Sequence, residues 1–182
     1  MMIYTVECSF AEPAREDEWN EFYSDLKLPA LISVPGFHTS QRFKAISTGC
    51  PVYLAVHTVD GGEVLKGDEY REKGGGNFAR WQPDITDWHR NLYHGIDRAP
   101  DVTAGEVLVL SSTGPEGLVQ LGLAPRAIHA VALERNPERR WLSSAASTDV
   151  PRLSALPKGV HVYVPMTPQL QTAPMSGPAR GR

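Results

Sequence analysis

Cysteine is scarce in this chain. Cys8 and Cys50 are the only two among 182 residues, too few for a disulfide framework, so reduced thiols in a cytoplasmic protein are the expectation. No apolar run approaches the roughly 18 residues that a membrane span needs. The opening MMIYTVECSF has neither the basic start nor the long apolar middle of a signal peptide. Net charge is small, −3 formally, and no basic patch is interleaved with aromatics, which argues against nucleic acid and anionic membrane. Gly74-Gly75-Gly76 is not followed by Gly-Lys-Ser/Thr, so it is not a phosphate loop. Cys8, Cys50 and the histidines His38, His94, His129 and His161 show no close ligand spacing, and no metal site is expected.

What the chain does have is short periodic segments. Residues 3–10 alternate Tyr4, Val6, Cys8 and Phe10 against Ile3, Thr5 and Glu7, the period of a strand. Over 16–33, Trp19, Phe22, Tyr23, Leu26 and Ala30 follow helical spacing behind an acidic first turn. Pro29 predicts a kink or an early end there. Strands are predicted over 37–46 and 52–59, and a short helix over 63–73. Residues 87–96 fit both periods, because Ile85, Trp88, Leu92 and Ile96 have helical spacing while Arg90, Leu92, His94 and Ile96 alternate. After a Pro- and Gly-containing linker at 98–105 the order starts again. Strands over 106–111, 127–135, 140–146 and 160–165 accompany a short helix at 115–123 and a helical turn at 150–156.

The order β-α-β-β-α-β thus appears twice, the ferredoxin-like arrangement. The predicted class is α+β, two ferredoxin-like halves in tandem (1–98 and a smaller 105–166) covering each other sheet to sheet. The last residues, 167–182, are rich in Pro, Gly and polar residues and are expected to be a disordered tail.

The stretch EDEWNEFYSDLKLPALISVPGF, residues 16–37, resembles the first helix of the EthD-like proteins of the dimeric α/β-barrel superfamily. Phe10, Pro13 and Glu16 precede it in the family's spacing, and Gln41-Arg42-Phe43 and Tyr53-Leu54-Ala55 follow. Trp19, Tyr23, Pro29 and Pro35-Gly36-Phe37 match, as does the course of Leu65 to Tyr70, and Lys27 stands at the family's histidine position. The likeness spans roughly residues 3–100. It implies a half-barrel that pairs with a second one, within the chain or as a homodimer, around an apolar cavity for small hydrophobic or aromatic molecules. Members act without a cofactor, and some relatives bind haem. The family's fourth strand falls at 87–96, which tips that segment toward strand.

Candidate chemistry rests on polar side chains of the predicted strands. His57 shares a face with Tyr53 and Ala55, and would meet the cavity if the opposite face packs on the helices, as a general base near neutral pH; the alternative is a structural strand histidine. His89, Arg90 and Tyr93, with Arg80 and Trp81, combine an imidazole with an arginine fork beside aromatic faces, suited to a carboxylate or enolate. The alternative is core aromatics and solvated ion pairs. Lys27, one turn after Tyr23, is a nucleophile if buried and otherwise a solvated helix residue. The functional expectation is cofactor-free acid/base chemistry of isomerase, cyclase, dehydratase or lyase type. His57 and His89 would move the proton, Arg90 and Tyr93 would hold an oxyanion, and Tyr23, Lys27, Tyr53, Arg80 and Trp81 would bind substrate. The rivals are a non-catalytic binding or assembly module and a haem-binding protein.

Overall fold

The computed structural model describes residues 1–75, 78–149 and 155–172. The chain runs β1 (Met2–Phe10), α1 (Pro13–Glu21), a π turn (Phe22–Lys27), α2 (Leu28–Ile32), β2 (Phe37–Ala45), β3 (Tyr53–Val59), a 3₁₀ turn (Gly62–Lys66), α3 (Asp68–Tyr70) and a second π turn (Arg71–Gly75). A 3₁₀ turn (Gln82–Asp84), β4 (Ile85–His94), β5 (Glu106–Ser111), α4 (Glu116–Gln120), β6 (Arg126–Leu133), β7 (Arg139–Ala146), β8 (Val160–Pro165) and β9 (Leu170–Gln171) follow.

All the pairings are antiparallel, in the order β3-β1-β4-β6-β7-β5-β8-β2, and β2 returns to β3 to close the ring. The expected α+β pair of ferredoxin-like halves is therefore corrected. The molecule is one closed eight-stranded antiparallel β-barrel, mostly strand, with few helices. The halves join edge to edge, β4 on β6 and β2 on β8. Closure satisfies backbone groups that two open sheets would leave unpaired at their edges. β4 is accordingly not an edge strand, since it lies between β1 and β6. The helix expected over 63–73 is broken into turns around Gly67 and Gly74, and α4 keeps only five residues; glycine inside a helix costs about 0.5–1 kcal/mol relative to alanine. Residues 167–172, expected in the disordered tail, continue beside β2. Leu170 pairs with Ser40, Gln171 with Thr39, and Thr172 Oγ1 donates to the Phe37 carbonyl. Residues 173–182, and 150–154 of the expected helical turn, lie outside the described residues.

Strand alternation sorts the barrel wall into two faces. Ile3, Leu54, Val56, Tyr93, Leu108, Ile128, Leu142 and Tyr163 fill the interior. With them Glu7 receives both carboxylate bonds from Arg140 Nη2, at 2.9 and 2.7 Å, reaching from one half of the chain to the other. On the outer face of the first half, Tyr4, Val6, Cys8, Tyr53, Ala55 and Leu92 pack under the helices with Trp19, Tyr23, Leu28 and Leu31. The second half buries Val107, Val109 and Val162 under α4 and its Leu118. Among the described residues no helix is long and apolar enough to cross a membrane.

Candidate functional site

The helix over 13–32 does not end at Pro29. Its middle turn widens to π geometry, with Leu28 N–H bonding the Tyr23 carbonyl five residues back. Proline offers no N–H at its own position, and a π turn takes up such a mismatch without breaking the helix. The wide turn carries Tyr23 and Lys27, both buried, toward β1 and β4.

Between this turn and the outer wall of β1 and β4 lies a cavity of about 620 Å³, within the range of sites that enclose small organic ligands. Val6, Ile85 and Trp88 form its apolar sheet side, and Leu31, Leu65 and Phe78 its apolar helical side. Trp88 stands at the mouth, partly exposed, its ring edge-on to Phe78 at 5.7 Å. Three polar groups meet at one wall. Tyr4 and Tyr70 share a hydrogen bond of 2.7 Å, and both phenols lie close enough to the Arg90 guanidinium to favour its charge. Partial burial pulls against the charge on Arg90, and the two tyrosines more than restore it. Burial first, then Tyr70, raises the Tyr4 phenol well above its ordinary range, so it stays a donor.

Lys27 occupies the helical wall. It is 3% exposed, its amine donates to the Gly74 carbonyl, and the Phe78 ring centre is 3.6 Å from Nζ. Burial pushes its pKa down to about 7. Ring faces favour an ammonium, but no carboxylate pairs with it among the described residues, and desolvation decides the direction. Glycine at 74 allows this close approach, because a Cβ would lie 2.9 Å from the Tyr70 ring and the ring would have to shift.

Of the side chains nominated from sequence, Tyr23, Lys27 and Arg90 come together in this cavity. His57 does not line it. It is sealed on the outer face of β3 with Nδ1 2.8 Å from Ser40 Oγ, stacked on Tyr4 at 5.4 Å. Burial, with some help from the Lys27 charge, pushes its pKa down to about 3, which removes it as a base near neutral pH. The expected facing of β3 is thus reversed, since Leu54 and Val56 enter the barrel while Tyr53 and His57 pack beneath the helices. Tyr53 accepts from Asn20 at 2.9 Å and donates to Glu16. His89 is half exposed and pairs with Glu134 at 2.8 Å. Tyr93 is inside the barrel, donating to the Pro137 carbonyl. Arg80 pairs with Glu18 at the surface, and Trp81 is a core residue beneath Arg15. Tyr4, Tyr70 and Phe78 were not nominated. The alternation of residues 3–10 places Tyr4 and Val6 on one face, but only the β1–β4 register, Tyr4 opposite Leu92 and Val6 opposite Arg90, brings that face to Arg90.

Among the described residues no three His, Cys, Asp or Glu gather as a metal site. The axial histidine that a haem reading needs is not among the described residues lining the cavity.

No protein-family model matches the chain, and no curated protein matches it either. Solved structures do. An anthrone oxidase-like protein aligns over 93% of this chain and 92% of its own, with a TM-score of 0.55 and 11% identity. A candidate monooxygenase from Lactobacillus acidophilus aligns over 93% and 96%, with TM-score 0.54 and 9% identity. Another from Fusobacterium nucleatum aligns over 96% and 98%, with 0.56 and 7%. The likeness is one of fold. It extends over nearly the whole barrel, both halves included, whereas the EthD-like resemblance covers the first half and finds no matching family model.

Proposed function

We propose that this chain binds a small aromatic or otherwise hydrophobic molecule carrying an acidic oxygen or carbon, and performs cofactor-free acid/base chemistry on it. The observation that carries the reading is the arrangement of one cavity: a guanidinium flanked by two tyrosines on one wall and, on the other, an amine with no carboxylate partner among the described residues, with apolar and aromatic surfaces between them. Arg90 and the two hydroxyls suit an oxygen on which negative charge develops, and fixed donors of that kind act before the charge appears. The uncharged Lys27 amine takes the proton. An enolate or phenolate formed this way can isomerise, cyclise or expel a leaving group, the chemistry that the EthD-like resemblance implies.

A second reading draws on the names of the similar structures, an anthrone oxidase-like protein and two candidate monooxygenases. An enolate is also the electron-rich form of a substrate that reacts with dioxygen. In that case a methylene is oxidised to a carbonyl, with O₂ reduced and one water released.

The test is a panel of polycyclic phenols and enolisable ketones, followed by quenching of tryptophan fluorescence, by solvent deuterium entering the acidic carbon, and by oxygen consumption. Arg90→Met is expected to weaken binding of the ionised ligand at least tenfold, in line with about 1.5–3 kcal/mol for hydrogen bonds to charged groups. Unchanged affinity and unchanged exchange in Arg90→Met would remove the site assignment. Oxygen uptake that follows the exchange rate favours the second reading.

A further inference from the structure

A buried amine in an apolar cavity is a nucleophile as well as a base, and the position of Lys27 favours attack on a carbonyl carbon. We propose that Lys27 forms an imine with an aldehyde or ketone carried by a hydrophobic ligand in the cavity. The inference rests on reading the cavity as a ligand site, but not on the proton transfer proposed above.

Three observations carry it. The amine is part of the cavity wall and its side chain is almost wholly removed from water. One N–H is committed to the Gly74 carbonyl. A carbonyl oxygen repels the amine lone pair, so the pair points away from Gly74. Finally, the Tyr70 ring packs against the same Gly74, and Tyr70 lines the same cavity as Lys27, so a phenol faces the space into which a carbonyl ligand would enter. Lys66 and Lys73, by contrast, are surface lysines that pair with Glu63 and Glu69.

The step balances without an oxidant or a reductant. The Nζ lone pair adds to the carbonyl carbon, and the C=O π pair moves onto oxygen. A proton passes from nitrogen to that oxygen, giving a carbinolamine. The nitrogen pair then forms the C=N bond as the hydroxyl leaves with a proton, as water. The product is an imine with one water released. Burial makes the amine available for this at neutral pH. With a pKa near 7, its uncharged fraction at pH 7 is roughly a thousandfold larger than that of a lysine at the ordinary value.

The experiment uses the full chain with 2-naphthaldehyde and cyanoborohydride at pH 7.5, which reduces an imine to a stable secondary amine. Intact mass should show a single naphthylmethyl adduct, and peptide mapping should assign it to Lys27 at ten times or more the occupancy of any other lysine. Lys27→Arg should lose the adduct while its near-ultraviolet spectrum and urea midpoint show a folded chain, and Lys27→Met gives the same comparison should the arginine disturb folding. Labelling spread over surface lysines, or equal labelling in the variants, overturns the proposal. If wild type binds 2-naphthol but traps no aldehyde, the imine fails and the ligand site stands. If neither compound engages the cavity, the ligand-site reading fails with it.

Discussion

Replacing Lys27 by methionine should stabilise this protein at neutral pH, and the gain should fade as pH rises. The unfolded chain carries a lysine of pKa ~10.4, while burial lowers the folded value to about 7. Between those values the unfolded state binds more protons, so wild-type stability rises with pH through this window. Below pH 7 the full penalty of burying the ammonium is present, and above about 10.4 it is gone. The slope is at most ~1.4 kcal/mol per pH unit, and integration from pH 7 to pH 9 yields a wild-type gain of about 2 kcal/mol. Contact with the Phe78 ring face at 3.6 Å offsets part of the penalty at pH 7, by about 1–2 kcal/mol. Methionine keeps a long unbranched stem in the same space and does not titrate. It forfeits the bond to Gly74, worth about 1 kcal/mol. Urea denaturation of both proteins at pH 7, 8 and 9 isolates this group, provided that the m-values agree. The stability difference, variant minus wild type, should fall by about 2 kcal/mol from pH 7 to pH 9. Parallel curves would refute the reasoning, because they would mean that Lys27 is solvated and titrates at its ordinary value.

Two further outcomes follow from the buried charges. Glu7→Gln strips the carboxylate charge from the Arg140 pair inside the barrel and should cost about 3–5 kcal/mol in urea denaturation, whereas the double variant Glu7→Leu/Arg140→Met should cost far less, because an apolar replacement leaves no unpaired charge. Arg42→Met removes bonds to the Asn20 carbonyl, Asn20 Oδ1 and Ser24 Oγ, together with a guanidinium 4.2 Å from the Tyr23 ring. A loss of about 2–4 kcal/mol is expected, with weakened near-ultraviolet ellipticity from the Trp19–Tyr23–Tyr53 cluster, and an unchanged spectrum would argue that the guanidinium does not order those rings.

Much of this architecture is local enough to read from the chain. The alternation of residues 3–10, the helical spacing of Trp19, Tyr23 and Ala30, and the strands at 106–111 and 160–165 all appear where period and turn residues predict them. Those signals reflect which side of an element is buried, and burial is inscribed residue by residue. The same signals do not say which other element does the burying. The facing of β3 is not legible for that reason: both of its faces are covered, one by the barrel interior and the other by the helices. Residues 87–96 fitted two periods for a related reason. β4 is exposed at its start and buried at its end, so neither pattern dominates.

Of the candidate site, Tyr23, Lys27 and Arg90 were legible as residue types of chemical interest, and His57 was the most conspicuous nominee yet is sealed in the core. Chemical type alone cannot separate these cases, because reactivity depends on whether a side chain meets a cavity or a packed wall. Tyr4 and Tyr70 lie 66 positions apart in the chain and touch at 2.7 Å, a meeting that no local pattern encodes. By itself, then, the sequence determined the elements, their apolar faces and the stock of polar groups, since backbone propensity and burial act over a few residues. Tertiary structure alone decided that the sheet edges close into one barrel, that the π turn aims Lys27 inward, and that Arg90 finds two tyrosines. Those outcomes depend on hydrogen bonds and packing between segments far apart in sequence, whose geometry is set only when the ring of strands is complete.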